Sequence, residues 1–219
     1  MKNKINFDKL FKPLLLFSAG LALVGILFLL IFGGRTYPRY TWSNLRFSLF
    51  FKAFATSVFA VLFTSLYYFI RFKNNGVWLG LFSALSAVIN VIATFSFCVI
   101  FRAPLGELTF ALMLFSVFVT YMTALVFKSN IPKSIKMSAK KKEKKFENAH
   151  YSEAANKALQ NMFFFIVPVV LVLAAVFVVT LIFGAGELAL YVFPAIFITL
   201  FSVVQTLGIG CKLFIKKYR

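Results

Sequence analysis

The chain contains few of the side chains that perform catalysis or bind metals. It has one histidine, two cysteines and six acidic residues in a length of 219. His150 lies in a basic segment, and Cys98 and Cys211 have no partner at metal-ligand spacing. The sequence contains no nucleophile–base pair and no phosphate-binding loop. We therefore expect neither an enzyme nor a bound cofactor or metal ion.

Charged side chains are also absent from long stretches of the sequence. The mean hydropathy is +0.90 and 61% of the residues are hydrophobic, whereas about half of the residues of a soluble domain are apolar. The apolar stretches have the length of about 20 residues that crosses a hydrocarbon core of about 30 Å. They predict an all-α bundle of six transmembrane helices, forming a single membrane domain over 1–219 without a large extracytoplasmic domain. The predicted spans are 14–32, 53–70, 77–101, 108–127, 162–183 and 188–210.

Basic residues lie mainly on one side of these spans. The segments 1–13, 71–76, 128–161 and 211–219 hold 19 of the 24 Lys and Arg residues, and the segments on the other side hold 5. Short loops rich in Lys and Arg stay in the cytoplasm during membrane insertion. The pattern therefore predicts a multi-pass protein of the cell (plasma) membrane with both termini in the cytoplasm.

The net charge of +18 would also suit a protein that binds nucleic acid. In a membrane protein, however, basic inner loops orient the spans and lie against anionic lipids, so we expect no nucleic-acid partner. The densest basic run falls in the loop 128–161, where residues 146–160 could also form a helix along the membrane. This run is a candidate for docking lipid or a protein partner, the alternative being a solvated linker. Its lysines are Lys140, Lys141, Lys142, Lys144 and Lys145.

Few side chains inside the predicted spans are polar. None of them is Asp, Glu, Lys, Arg or His, because Lys52 at the start of the second span extends outward to the membrane surface. Ionisable residues within a membrane usually mark proton relays or ion paths, so a self-contained proton pump is not expected. Ser86 and Asn90 share one helix face, as do Ser202 and Thr206, because each pair is four residues apart. The candidate residues for helix packing, or for lining a polar path, are Ser86, Asn90, Thr120, Tyr121, Ser202, Gln205 and Thr206.

Several short motifs follow one another in a recognisable order. They accompany an arrangement of six predicted spans, with both ends inside and a long inner loop between the fourth and fifth spans. The motifs are FGGRT at 32–36, RF at 71–72, VF at 126–127, FGAGE at 183–187 and the hydroxyl-rich TLFSVVQT at 199–206. With these motifs in this order the chain resembles the SecF subunit of the bacterial SecD–SecF complex, which assists protein translocation.

The resemblance implies an accessory subunit of the Sec translocase that assists protein export or insertion with a SecD-like partner and the Sec channel. The family's charged pair in span 3 would fall near Ser86 and Ala87, and its pair in span 4 near Tyr121 and Met122. The family's extracytoplasmic domain between spans 1 and 2 is reduced to residues 33–52. The resemblance therefore implies a reduced SecF-like subunit without its own proton relay.

Two other functions fit the same sequence. A small six-helix transporter or permease subunit for a neutral solute would place Asn90, Tyr121 and Gln205 around a polar path. A membrane scaffold would need no path at all. A SecD-like neighbour in the genome would favour the first function, and a neighbouring ATPase or solute-binding protein would favour the transporter.

Overall fold

The computed structural model describes residues 5–36, 47–72, 74–103, 107–131, 148–184 and 186–217. All regular structure within these ranges is helical, which establishes the all-α class for the described part of the chain. A π-helical segment, Thr206–Gly210, joins the last two helices. The helices are α1 (Phe7–Thr36), α2 (Phe47–Phe72), α3 (Asn74–Ile100), α4 (Glu107–Ser129), α5 (Asn148–Ile182), α6 (Gly186–Gln205) and α7 (Cys211–Lys217).

The helices identify a multi-pass membrane protein. Among the described residues, five apolar stretches are long enough to cross a membrane. The described apolar stretch of α2, Val58–Arg71, is shorter than the others, so the sixth span stays a prediction. The five long stretches are Lys9–Phe28, Val77–Ile100, Leu108–Ser129, Tyr151–Ile182 and Leu188–Lys216.

The centre of the bundle is formed by α3, α4 and α6, which pack on one another. Half or more of the residues in their apolar stretches are buried, against 11% in those of α1 and α5. The outer helices expose large apolar side chains such as Leu16, Ile70 and Phe164. A soluble protein rarely exposes so much apolar surface, so these faces are the ones that meet lipid.

The start of α5 differs from the prediction. We predicted a basic loop to residue 161, at most a helix along the membrane over 146–160, and a span from 162. Instead one helix of 35 residues runs from Asn148 to Ile182, about 50 Å at 1.5 Å per residue. Its first turns are buried in the core, including Tyr151, Ala155 and Ala158. Alanine favours the helix and its small side chain lets the neighbouring helices approach, which explains why the helix continues past its apolar part.

The beginnings of α1 and α5 are joined by hydrogen bonds at one end of the bundle. The backbone N–H of Ile5 donates to Oδ1 of Asn156 at 3.0 Å, and Nδ2 of Asn156 donates to the Ile5 carbonyl at 2.7 Å. Phe7, two residues further on, is fully buried. Nζ of Lys212 lies 4.9 Å from the ring centroid of Phe11, which brings α7 to the same end. The N-terminal segment, the start of α5 and the C-terminal helix therefore meet at one end of the bundle.

Candidate functional site: a polar core between three helices

Most of the buried polar side chains of the central helices form three stripes, one on each helix. Within each stripe the residues recur every three or four positions, apart from the adjacent Gln205 and Thr206, so each stripe follows one helix face. Each of these residues is at most 2% exposed. Because α3, α4 and α6 pack on one another, their polar side chains lie inside the bundle, and we call this set the polar core. It consists of Ser83, Ser86, Asn90 and Thr94 on α3, Ser116, Thr120 and Thr123 on α4, and Thr199, Ser202, Gln205 and Thr206 on α6 and the π segment.

Asn90 stands at the junction of the three stripes. Its Nδ2 donates to Oγ1 of Thr120 at 2.7 Å and lies 3.5 Å from Oγ1 of Thr206, a longer contact. The Thr120 hydroxyl donates to the Ser116 carbonyl at 2.7 Å, and the Thr206 hydroxyl donates to the Ser202 carbonyl at 2.6 Å. Both threonine oxygens can therefore only accept a further hydrogen bond. This fixes the orientation of the Asn90 amide, with its NH2 group toward the threonines and Oδ1 turned away from them.

Five polar side-chain atoms of the core have no hydrogen-bond partner among the described residues. They belong to four residues that are each at most 1% exposed. Leaving such an atom buried and unpaired costs about 1–3 kcal/mol. The five penalties together would be comparable to the net stability of a whole domain, about 5–15 kcal/mol. The atoms are Oγ of Ser86, Oδ1 of Asn90, Oγ of Ser202, and Nε2 and Oε1 of Gln205.

Tyr121 belongs to a different contact. Its hydroxyl donates to the Val61 carbonyl at 3.0 Å and pairs with the Ser65 hydroxyl at 2.7 Å, both on α2. The hydroxyl of Tyr68 donates to the Tyr121 carbonyl at 2.5 Å, and the two rings meet edge to face with centroids 5.4 Å apart. The hydroxyl of Tyr121 therefore joins α4 to α2, and the structure shows no contact between it and the side chains of Asn90 or Gln205 among the described residues. Sequence reasoning missed Ser65 and Tyr68, which lie in an otherwise apolar run.

The π segment lies directly beside the polar core. The N–H of Cys211 donates to the carbonyl of Thr206, five residues back, as a π turn requires. The Leu207 carbonyl accepts a hydrogen bond from the buried hydroxyl of Tyr151 on α5. Such turns recur at functional sites in helical proteins. The sequence did not predict this turn, and its only signal is the pair of glycines at 208 and 210.

Gly210 allows the π segment to approach α3. A Cβ atom at Gly210 would lie 2.3 Å from Oγ of Ser86 and 3.1 Å from the Phe82 carbonyl. Alanine at this position would therefore require the Ser86 side chain to rotate and the Phe82 carbonyl to shift slightly. The glycine permits the close approach of the π segment to the helix that carries Asn90.

The structure places all seven predicted polar candidates in the interior and brings Asn90, Thr120 and Thr206 together. The lysine run 140–145 lies outside the described residues. Within the described ranges, no group of three or more His, Cys, Asp or Glu could hold a metal ion. Comparison with known protein families, characterised proteins and solved structures gives no match.

Proposed function

We propose that the chain is a SecF-like accessory subunit of the Sec protein translocase. In this role it assists protein export or insertion with a SecD-like partner and the Sec channel, in the cell membrane and with both termini in the cytoplasm. The observation that carries the proposal is the order of short motifs along the predicted spans, from FGGRT at 32–36 to the hydroxyl-rich TLFSVVQT at 199–206. Ser86 and Tyr121, both buried, lie where the resemblance would put the family's charged pairs, and they depart from the family because they are neutral. The proposal is therefore a reduced subunit without its own proton relay.

Two further features support this proposal. The hydroxyl-rich motif 199–206 belongs to the same polar core as the stripes of α3 and α4. The apolar faces of α1 and α5 are extensive, which leaves room for contact with other membrane helices as well as with lipid. In this proposal the subunit acts by helix packing, and the partner supplies any proton coupling. The basic lysine run then contacts anionic lipids on the cytoplasmic face.

The test is purification of the complete tagged chain from its own membranes in a mild detergent, followed by mass spectrometry. We expect a SecD-like protein and subunits of the Sec channel to be enriched over a matched sample from an equally abundant tagged membrane protein. Depletion of the chain should also slow secretion of a reporter protein. Absence of these partners, together with normal secretion after depletion, would refute the proposal.

A neutral-solute transporter is the second candidate. The unpaired side-chain atoms of Asn90 and Gln205 favour it, because a polar group inside a membrane bundle often lines a substrate path. Reconstituted proteoliposomes should then take up a neutral solute, and Gln205→Leu should reduce uptake without reducing the amount of folded protein. Uptake of this kind, in the absence of Sec partners, would replace the translocase function. A scaffold role would show neither uptake nor a secretion defect.

A further inference from the structure

One face of α3 stays uncovered between α1 and α2. Both of these helices pack on α3, whereas the described parts of α1 and α2 do not pack on each other. The uncovered side chains are all apolar and recur every three or four residues, and each is 39–55% exposed. We call this face the α3 seam, and it consists of Trp78, Leu81, Leu85, Val88 and Ile92.

The seam is narrow because α1 and α2 approach α3 closely on its two sides. A Cβ atom at Gly80 would lie 3.2 Å from the Ser65 carbonyl of α2, and one at Gly25 of α1 would lie 2.8 Å from Cα of Ser96. Only one side chain in each turn of α3 is exposed between these contacts. A strip one side chain wide suits a lipid acyl chain, which is much narrower than a helix of about 10–12 Å diameter.

Three helices meet at the beginning of the seam. Nζ of Lys212 lies 4.9 Å from the ring centroid of Phe11, so α7 contacts α1 there. The start of α7 also lies beside α3, because a Cβ atom at Gly210 would lie 3.1 Å from the carbonyl of Phe82, one turn after Trp78. The C-terminal helix therefore joins α1 to the beginning of the seam.

Two exposed lysines lie beside this contact. Lys12 follows it on α1, and Lys216 lies one turn after Lys212 on the same face of α7. The segments 1–13 and 211–219 together hold eight basic residues and one acidic residue. This end of the bundle therefore presents positive charge next to an apolar groove.

The same groups lie at the depth of lipid headgroups. Lys12 and Lys212 are each two residues outside a predicted span, and Trp78 is the second residue of the third span. Tryptophan favours the interface between hydrocarbon and water. From Trp78 to Val88 the seam rises about 15 Å, which is half of a hydrocarbon core of about 30 Å. This part of the seam is therefore as long as the acyl region of one leaflet.

We propose that this groove binds one anionic phospholipid, with its phosphate between Lys12, Lys212 and Lys216 and an acyl chain along the first part of the α3 seam. The lysines select the headgroup, because basic pockets between membrane helices favour anionic lipids. In the predicted orientation the lipid belongs to the cytoplasmic leaflet. The site is separate from the lysine run 140–145, and it does not depend on either of the functions considered above.

The chain supplies its own probe for this site. It contains two tryptophans, Trp42 and Trp78, so Trp42→Phe leaves a single fluorophore at the beginning of the seam. The full-length protein with this substitution is reconstituted in phosphatidylcholine vesicles. These contain either brominated phosphatidylglycerol or, at the same mole fraction, brominated phosphatidylcholine. Bromine quenches tryptophan on contact, so the two titrations give the relative affinity of the site for the anionic lipid.

We expect phosphatidylglycerol to be preferred by roughly five- to thirtyfold, the effect of one to two basic residues near an anionic lipid. Lys12→Gln combined with Lys216→Gln should abolish the preference and leave quenching by brominated phosphatidylcholine unchanged, which also shows that the variant is folded. The matched control is Arg71→Gln combined with Lys128→Gln, which removes the same charge from the last turns of α2 and α4. The control should keep the preference.

Three results would overturn the proposal. Equal quenching by the two lipids before any lysine is changed would show an ordinary lipid of the surrounding bilayer. An equal loss of preference in the control variant would assign the effect to the net charge of the protein. Absence of quenching by either lipid would show that another helix, from a partner or from a second copy of the chain, covers the seam.

Discussion

Nδ2 of Asn90 donates to Oγ1 of Thr120 at 2.7 Å, and this hydrogen bond joins α3 to α4 in the interior of the bundle. Both residues are at most 1% exposed. Hydrogen bonds between membrane helices contribute about 0.6–2 kcal/mol. The Asn90 side chain therefore stabilises the packing inside this chain, and its substitution would affect the fold before it affects any partner surface.

We expect Asn90→Leu and Thr120→Val each to lower the free energy of unfolding by about 0.6–2 kcal/mol, because each removes the hydrogen bond that joins α3 to α4. The double variant should lose less than the sum, with a coupling energy of about 0.6–2 kcal/mol. Reversible unfolding in mixed detergent micelles measures these values. Thr123→Val is the matched control, because the Thr123 hydroxyl donates to the Val119 carbonyl of its own helix. Its effect should add to that of Asn90→Leu, and strong coupling there would contradict the assignment.

The sequence predicted the polar core better than it predicted the contacts within it. Spacing of four residues correctly placed Ser86 with Asn90, and Ser202 with Thr206, on common buried faces. Spacing cannot give the rotation of one helix against its neighbours, since packing of the whole bundle sets that rotation. Tyr121 follows Thr120 directly in the sequence, yet its hydroxyl points to α2 while Thr120 meets α3.

The helix boundaries are a second feature that the sequence predicted only in part. Hydropathy marks the part of a helix that is apolar, and α5 and the last span both continue beyond that part. The start of α5 contains Ser152, Glu153, Asn156 and Lys157, which read as a polar loop. In the structure Glu153 and Lys157 pair on the exposed side at 2.9 Å, and the alanines between them face the core. The π segment contacts Tyr151 on α5 and approaches α3 at Gly210, and the glycines at 208 and 210 are the only local signal of these tertiary contacts.

Tyr121→Phe should destabilise the contact between α2 and α4. The substitution removes the hydrogen bonds to the Val61 carbonyl and to Ser65, and it keeps the ring that packs on Tyr68. We expect a loss of about 1–2 kcal/mol in the free energy of unfolding. Tyr67→Phe is the control, because Tyr67 is exposed on α2, the helix that Tyr121 contacts. Equal effects of the two substitutions would show that the Tyr121 hydroxyl contributes nothing.

The charge asymmetry of the loops predicts the orientation of the spans. Reporter fusions after residues 76, 145 and 219 should report the cytoplasm, and fusions after 40, 104 and 186 the outside. The fusion at 145 is the most informative, because the loop 128–161 carries 9 of the 19 basic residues on the predicted inner side, more than any other segment. An external signal at this position would contradict the arrangement of six spans with both termini inside.

Arg102 adopts a backbone conformation that favours glycine. Its φ is 57°, its N–H donates to the Val99 carbonyl at 3.1 Å, and the Ala103 N–H donates to the Cys98 carbonyl at 2.8 Å. This is the Schellman motif that ends many helices, usually with glycine at the left-handed position. Arg102→Gly should therefore raise the free energy of unfolding by about 1 kcal/mol, because the left-handed conformation costs a residue with a Cβ atom about 1–2 kcal/mol and glycine loses more backbone entropy on folding. Arg102→Ala removes the same charge but keeps the strain, so an equal gain from alanine would contradict the backbone explanation.

Gly25 permits the close approach of α1 to α3. A Cβ atom at this position would lie 2.4 Å from Oγ and 2.8 Å from Cα of Ser96. The second contact is with the backbone, so rotation of the Ser96 side chain cannot relieve it. Overpacking of this kind costs about 1–3 kcal/mol, which exceeds the gain of about 1 kcal/mol that alanine brings to a helix. Gly25→Ala should therefore lower the thermal midpoint of the protein in detergent.

Gly20 is the matched control on the same helix, because a Cβ atom there would have no neighbour within 4 Å among the described atoms. Gly20→Ala should leave the midpoint unchanged or raise it slightly, since only the helix propensity changes. Ser96→Ala should not rescue Gly25→Ala, because the contact with the Ser96 Cα atom remains. Full rescue would show that the hydroxyl alone limits the approach of the two helices. Equal behaviour of the two glycine variants would show that α1 does not pack on α3 at Gly25.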